Sequence, residues 1–338
     1  MKNKMALFLV LVLVLFSFAG CASNVDNSST PQGSQEESQG EMKIITAYTP
    51  ATDFILALGG KDNLVGVDDK SAKSELLKNI DPKNEILGVG SKKNGINVEQ
   101  VISLDPDLVI LYPVEESDNT KKQLEDNGIK VISINPETLE SLQGDIMTIG
   151  EAIGKEKEAE ELNAYINEKI SMVKDRVKDI DEKKTVYLAG SRGVLSTHSG
   201  DFFQHEIIDI TGGEDLSKDL VGGWNEISAE QLIQWNPEVM VTVNYSPDNR
   251  ESILQDKSLS SIKALEERQV YEIPSKIDSW DTPKPSAVLS FLWMGKTLYP
   301  EAFEDVDLTK EANGFYEKFY GKSFEDLGGN IIEGEQQQ

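Results

Sequence analysis

The stretch from Lys155 to Lys184 contains neither glycine nor proline, and within it Ala159, Leu162, Ile166, Ile170, Val173, Val177 and Ile180 recur at steps of three or four. That period gathers the apolar side chains into one stripe of a helix. Gly154 marks its start. Glu156, Glu158, Glu160 and Glu161 crowd its first half, and Lys174, Arg176 and Lys178 lie in its second, broadly the order the helix dipole favours. At 1.5 Å per residue the predicted helix is roughly 40 Å long, about the width of a domain. Strand and helix patterns alternate on both sides of it. The stretch is therefore either a stiff rod joining two α/β lobes or a long surface helix of a single domain.

A chain of 338 residues fits about two domains, and 38% hydrophobic residues suffice for packed cores. The net charge of −26 argues against nucleic acid, which needs a basic face. It also disfavours adsorption to anionic lipid, and its plain consequence is solubility. Cys21 is the single cysteine, so an internal disulfide and a multi-thiolate metal site are excluded. Lys2 and Lys4 precede an apolar run from Ala6 to Phe18, followed by Ala19, Gly20 and Cys21. A charged start, a short apolar core and small residues make a secretory signal peptide, too short for a comfortable membrane span. Phe18-Ala19-Gly20-Cys21 resembles a bacterial lipobox with Phe where Leu is usual, in which the cysteine becomes a lipidated first residue. The alternative is an ordinary signal peptide cleaved nearby. Positions 21–41, rich in Ser, Gln, Asn, Gly and Glu, are expected to form a flexible tether.

From Met42 the chain alternates. Strands are predicted at Met42 to Tyr48, Leu64 to Val67, Leu108 to Tyr112 and Ile129 to Ile134. Helices follow Thr49 (with Thr49 or Thr52 as cap), open at Asn97, and run over Lys121 to Asn127 and Leu139 to Ile153; Glu85 to Gly95 reads as a loop. After the rod the grammar returns: strands at Thr185 to Ala189, Val239 to Val243 and Val270 to Ile273. Helices are predicted at Asp201 to Ile210, Ala229 to Gln234, Ser286 to Leu298 and near Glu311 to Phe324. Such alternation implies mostly parallel sheets covered by helices. The predicted organisation is a signal peptide (1–20), the tether (21–41), an N-terminal α/β lobe (42–153), a linking helix (154–184) and a C-terminal α/β lobe with a terminal helix (185–330).

One repeat favours two lobes of one design. Asn97-Val98-Glu99-Gln100-Val101-Ile102 precedes Asp105-Pro106-Asp107-Leu108-Val109-Ile110. At a constant offset of 131 positions, Ser228-Ala229-Glu230-Gln231-Leu232-Ile233 precedes Asn236-Pro237-Glu238-Val239-Met240-Val241. In each copy a polar cap stands three residues before Gln, the spacing of a capping box, and a proline ends the short helix before a buried strand.

Catalytic signatures are missing: there is no Gly-x-Ser-x-Gly elbow, no phosphate loop, no His-Glu-x-x-His and no Gly-x-Gly-x-x-Gly. Two histidines, His198 and His205, cannot build a multi-histidine metal cage. His205 sits in a helix pattern, where it packs or caps. His198 lies in a predicted loop between a strand and a helix, a place ligands favour in open α/β folds. Loops at the carboxyl ends of strands in both lobes carry aromatic and basic residues. These are Tyr48 with Thr49, Lys92-Lys93, Tyr112, Arg192, Trp224, Tyr245, Lys276 and Trp280. Aromatic walls with a few cations suit a bulky anionic ligand.

Lipobox, tether, lobe, rod and second lobe together resemble the substrate-binding lipoproteins of ABC importers for iron complexes and vitamin B12. The resemblance covers about Met42 to Pro300. It is carried by the repeated Asn97-Val98-Glu99-Gln100-Val101 and Trp224-x-x-x-Ser228-x-Glu230-Gln231-Leu232 units, by Thr211-Gly212-Gly213-Glu214, and by Leu289-x-x-Leu292-Trp293 before Tyr299-Pro300-Glu301. It implies two Rossmann-like lobes fixed by one long helix and a ligand held between them. It also implies docking of Glu99 and Glu230 on a permease dimer with its ATPase subunits, and no enzymatic activity. The ligand class it implies is an iron chelate, siderophore or haem, with a corrinoid as the alternative. The Lys92-Lys93 loop, where the B12 binders place an aromatic residue, favours an anionic chelate. An extracytoplasmic enzyme on a two-lobe scaffold, or an adhesive lipoprotein, are the readings from other classes.

Overall fold

The computed structural model describes residues 42–83, 86–91, 95–113, 115–275 and 277–331. The predicted signal peptide, Cys21, the tether, Lys92, Lys93 and Lys276 lie outside these residues.

The N-terminal lobe begins β1 (Ile44–Thr46), α1 (Thr49–Ala57), β2 (Leu64–Val67), α2 (Glu75–Ile80), β3 (Leu87–Gly88), β4 (Gly90–Ser91) and β5 (Gly95–Ile96). It continues α3 (Val98–Ser103), β6 (Leu108–Leu111), α4 (Glu115–Asp126), β7 (Lys130–Ser133) and α5 (Leu139–Ile153). Its sheet is parallel, in the order β3-β2-β1-β6-β7. Central β1 and β6 are buried at every residue, and β6 reads as an unbroken apolar run, because helices cover both faces. Next comes α6 (Glu156–Val177), then β8 (Thr185–Gly190), β9 (Gly193–Thr197), α7 (Phe203–Ile210), β10 (Glu214–Asp215) and β11 (Asn225–Glu226). The C-terminal lobe is completed by α8 (Ala229–Trp235), β12 (Val239–Val243), α9 (Arg250–Leu254), α10 (Lys263–Glu266), β13 (Val270–Ile273), α11 (Val288–Leu298) and α12 (Leu308–Tyr320). Its sheet runs β11-β9-β8-β12-β13, with β8, β12 and β13 parallel and β9 antiparallel to β8.

Helix α6 buries Ala159, Leu162, Ile166, Ile170, Val173 and Val177, the predicted stripe, in a core that is continuous through both lobes. It is shorter than the sequence suggests: 22 residues, about 33 Å. The stretch from 178 to 184 is not helical. Asp179, Asp181 and Glu182 would oppose the dipole at a helix C-terminus, and the chain must turn there to enter β8. A second brace comes from α12. It packs on α1 of the first lobe and pairs with the rod through Lys169–Glu311 (2.6 Å) and Lys318–Glu161 (2.8 Å). A third tie is Glu206 of α7, whose Oε2 accepts the Leu139 N–H at the start of α5 (2.6 Å).

The repeated unit is confirmed in detail. Asn97 Oδ1 and Ser228 Oγ each accept the N–H three residues on, at 3.1 Å. Asp105 and Asn236 both take positive φ, 51° and 47°. The following prolines disfavour αR at these positions, and Asp and Asn tolerate the left-handed region. Only half of the predicted capping box forms in either copy; at α3, Gln100 Nε2 donates instead to the Gly88 carbonyl (3.2 Å). Helix α1 also departs from expectation: Tyr48 is its N-cap and makes no side-chain cap bond. The Thr49 hydroxyl donates to Asp68 (2.9 Å), and Thr52 pairs with Thr46 (2.7 Å). No helix among the described residues is long and apolar enough to cross a membrane.

Candidate functional site

The carboxyl ends of the parallel strands in both lobes converge on one region. A cavity of about 310 Å³ is lined by Thr49 after β1, by Lys70, Lys73, Ser74 and Glu75 after β2, and by Ile277, Asp278, Ser279 and Lys284 after β13, with Asp53 of α1. This is where open α/β sheets place ligands. Pro50 opens α1 at this wall, and the helix start has no side-chain cap, so its positive end is turned toward whatever the cavity holds.

Lys284 joins the lobes here. Its ammonium lies 3.1 Å from Asp53 Oδ2 of the first lobe and is paired with Asp278 Oδ1 of its own. Asp278 Oδ2 accepts the Tyr316 hydroxyl (2.8 Å). All three charged groups are buried. Burial pushes the Asp53 carboxyl up and the Lys284 ammonium down, each partly offset by the attraction of the other. Two carboxylates share one ammonium, so the pairing cannot neutralise all of the charge.

The predicted aromatic residues are not among those that line this cavity; they follow the strands, in different states. Tyr48 and Tyr112 follow the neighbouring strands β1 and β6, and their rings meet at 4.8 Å between centroids. Burial and the Glu137 carboxylate, which accepts the Tyr112 hydroxyl at 3.0 Å, push that phenol up to about 12. Trp224 lies across Gly190, the last residue of β8. A Cβ there would stand 2.1 Å from the indole, so only glycine admits this contact. Tyr245 follows β12 with its ring 43% exposed, and its hydroxyl donates to buried Asp281 (2.6 Å). Arg192, in the turn from β8 to β9, is exposed and 3.4 Å from Glu226; such exposed pairs contribute little.

Two predicted ligand residues are corrected. Trp280 is fully buried, with Nε1–H donating to the Tyr316 hydroxyl (3.2 Å) and its ring against Phe324 at 5.5 Å. Its polar neighbours Asp278 and Asp281 suggested a surface turn, but both are buried against Lys284, Tyr316 and Tyr245. His198 is also fully buried, bonded through Nε2 to Asp215 (2.9 Å). The predicted loop that was to expose it is largely the strand β9, which ends at Thr197 and feeds His198 into the interior. The sequence reading missed Asp53, Lys70, Lys73 and Lys284, because each acquires its setting from partners distant in the chain.

Glu99 and Glu230 occupy equivalent, exposed positions in the first turns of α3 and α8. The Glu230 carboxyl is held below the usual range by backbone N–H and the Ser228 hydroxyl. Among the described residues no group of three or more His, Cys, Asp or Glu is placed to hold a metal ion.

Comparison with known proteins agrees with this geometry. The molybdate-binding protein MolA of Haemophilus influenzae is 28% identical over 278 residues, covering 75% of this chain and 78% of its own. An uncharacterized ABC transporter substrate-binding lipoprotein of Bacillus subtilis, YvrC, is 24% identical over 327 residues, covering 90% of this chain and all of its own. The crystal structure of a periplasmic solute binding protein from Veillonella parvula superposes with a TM-score of 0.75 at 28% identity, over 87% of this chain and 89% of that one. The family model described as periplasmic binding protein matches residues 44–277, from the first strand to the far wall of the cavity. With its two lobes, bracing helix and cleft at the strand ends, the chain belongs to the periplasmic binding protein family.

Proposed function

We propose that this binding protein captures an anionic metal chelate, of the iron–siderophore or haem class, between its lobes and delivers it to the permease dimer of an ABC importer. Lipid on Cys21 would hold it at the outer face of the membrane, a reading supported by the Bacillus subtilis relative, a substrate-binding lipoprotein. The observation that carries the reading is the charge around one cavity. Its wall has three acids and three lysines, so the side-chain charges balance, and the uncapped start of α1 adds its positive end to them. The Tyr48–Tyr112 pair and Trp224 supply aromatic surface for the organic part of a chelate.

A second reading is a bare tetrahedral oxyanion. Two observations favour it: the relative named for molybdate, and a cavity of about 310 Å³, at the small end of the roughly 300–1,000 Å³ usual for ligand sites. The same size speaks against a corrinoid. Calorimetry with a ferric siderophore, haem, cobalamin and molybdate, on wild type and Trp224→Ala, separates them. A chelate that binds wild type and weakens by about 1–3 kcal/mol in the variant supports the first reading. Molybdate binding that is indifferent to Trp224 supports the second. Tight binding of cobalamin alone would overturn both.

A further inference from the structure

Asp215 is a buried carboxylate that the ligand cavity does not use. It sits in β10, paired with the first residues of β8, and it accepts four hydrogen bonds. Oδ2 takes His198 Nε2 and His205 Nδ1, both at 2.9 Å. Oδ1 takes the Ser217 N–H at 2.9 Å and the Ser217 hydroxyl at 2.8 Å. Those partners are the two ends of the segment 198–205 and the start of the segment 217–224.

The two segments are stitched together along their length. The Gly200 N–H donates to the Leu220 carbonyl (3.1 Å), and the Gly223 N–H to Ser199 Oγ (2.9 Å). A Cβ on Gly200 would stand 2.0 Å from the Lys218 carbonyl oxygen, so the backbones touch. Phe202, from the first segment, meets Trp224, at the end of the second, edge-on at 6.1 Å. Every route from Asp215 thus ends at the indole that lies on Gly190.

We propose that Asp215 is a positioning residue, which together with His198 and His205 fixes Trp224 at the cleft and makes its placement depend on pH through His205. As a statement about ligand capture, this rests on the reading of Trp224 as a ligand contact. His205 is the member that exchanges protons with solvent: its side chain is 27% exposed, whereas that of His198 is 0% exposed. Nδ1 of His198 is buried without a hydrogen-bond partner. The groups facing His205 are Asp215 from β10, Glu206 and Asp209 on its own helix, Asp201 from the preceding loop and Lys174 from α6, around a cavity of about 400 Å³. The hydrogen bond to Asp215 outweighs burial and holds His205 above its ordinary 6.5. The charge-assisted bond is therefore complete below that value and is lost as pH rises through the raised one. Neutral His205 can still donate from Nδ1, but more weakly, so the stitch loosens rather than breaks.

The test reads Trp224 directly, without ligand. Full-length protein labelled with 5-fluorotryptophan gives a ¹⁹F resonance for each tryptophan, and Trp224→Phe assigns the relevant one. Between about pH 5.5 and 8.5 the Trp224 resonance is expected to titrate with a midpoint above 6.5, while those of Trp280 and Trp293 stay in place. His205→Asn keeps an N–H near the Nδ1 position without a titrating group, and should hold Trp224 at its low-pH position throughout. Asp215→Asn should displace the Trp224 resonance at every pH. Should Asp215→Asn not fold, His205→Asn, at a partly exposed position, still decides. A Trp224 resonance that is flat in wild type, or that titrates identically in His205→Asn, would overturn the proposal. Addition of haem or molybdate that saturates the protein without moving that resonance would instead overturn the reading of Trp224 as a ligand contact and leave the positioning cluster standing.

Discussion

The two lobes share the helix–turn–strand unit of α3–β6 and α8–β12, yet the sides they turn toward the cavity are unlike. In the first lobe, ligand-side residues follow directly on three parallel strands: Tyr48 and Thr49 after β1, Asp68 to Lys73 after β2, Tyr112 after β6. In the second, the wall is assembled from long connections, with Trp224 carried on a loop tied to Asp215, and Asp278 to Lys284 folded into the interior after β13. The shared units remain on the exposed surface, with Glu99 and Glu230 in matching turns. A pseudo-two-fold partner requires duplicated contacts, whereas a ligand that occupies one cavity requires two different half-sites. On the proposed function, divergence on one side and repeated geometry on the other would follow from that difference.

Three substitutions test the contrast, in decreasing order of expected effect on the isolated protein. Lys284→Met removes the cation shared by Asp53 and Asp278 and leaves a buried carboxylate unpaired. The loss should be about 3–5 kcal/mol, read as a fall in the urea midpoint at unchanged slope. A stability within error of wild type would mean that the cross-lobe cluster is solvated and does not join the lobes.

Gly190→Val acts on the second lobe's wall alone. A strand accepts valine readily, but the Cβ would collide with the Trp224 ring, so the indole must leave its seat. Affinity for a ferric siderophore or haem should fall about tenfold, or ~1.4 kcal/mol. Unchanged affinity would place the ligand against the first lobe.

The smallest effect is expected for Glu99→Gln with Glu230→Gln. Both carboxylates are exposed in the first turns of capped helices. Stability should therefore stay within about 0.5 kcal/mol, and ligand affinity should be unaltered. Delivery is the readout that should change: ATP hydrolysis by the reconstituted permease is no longer stimulated, because charges of this kind govern encounter with the partner. Normal transport by the double variant would reduce the duplicated turns to helix starts.

What the sequence determined by itself is the part of the protein built from local rules. The apolar period of α6, the caps Asn97 and Ser228, and the breaks before Pro106 and Pro237 are set by neighbours three or four residues away, and they emerge in the structure where the pattern puts them. Tyr48, Tyr112 and Tyr245 likewise follow β1, β6 and β12, because the alternation of strands and helices fixes which loops lie at the carboxyl ends. Where local signals were ambiguous, the tertiary structure decided. Asp278, Ser279 and Asp281 look like a solvated turn around Trp280 until Lys284, Tyr316 and Tyr245 arrive to satisfy them. His198 looks like a loop residue until β9 pairs with β8 and carries it to Asp215. The end of α6 at Val177, too, is fixed by where β8 must begin. Charges and polar groups can be buried only where partners meet them, and in this chain those partners lie beyond the local pattern: Asp215 for His198, Tyr316 for Asp278 and, from the other lobe, Asp53 for Lys284.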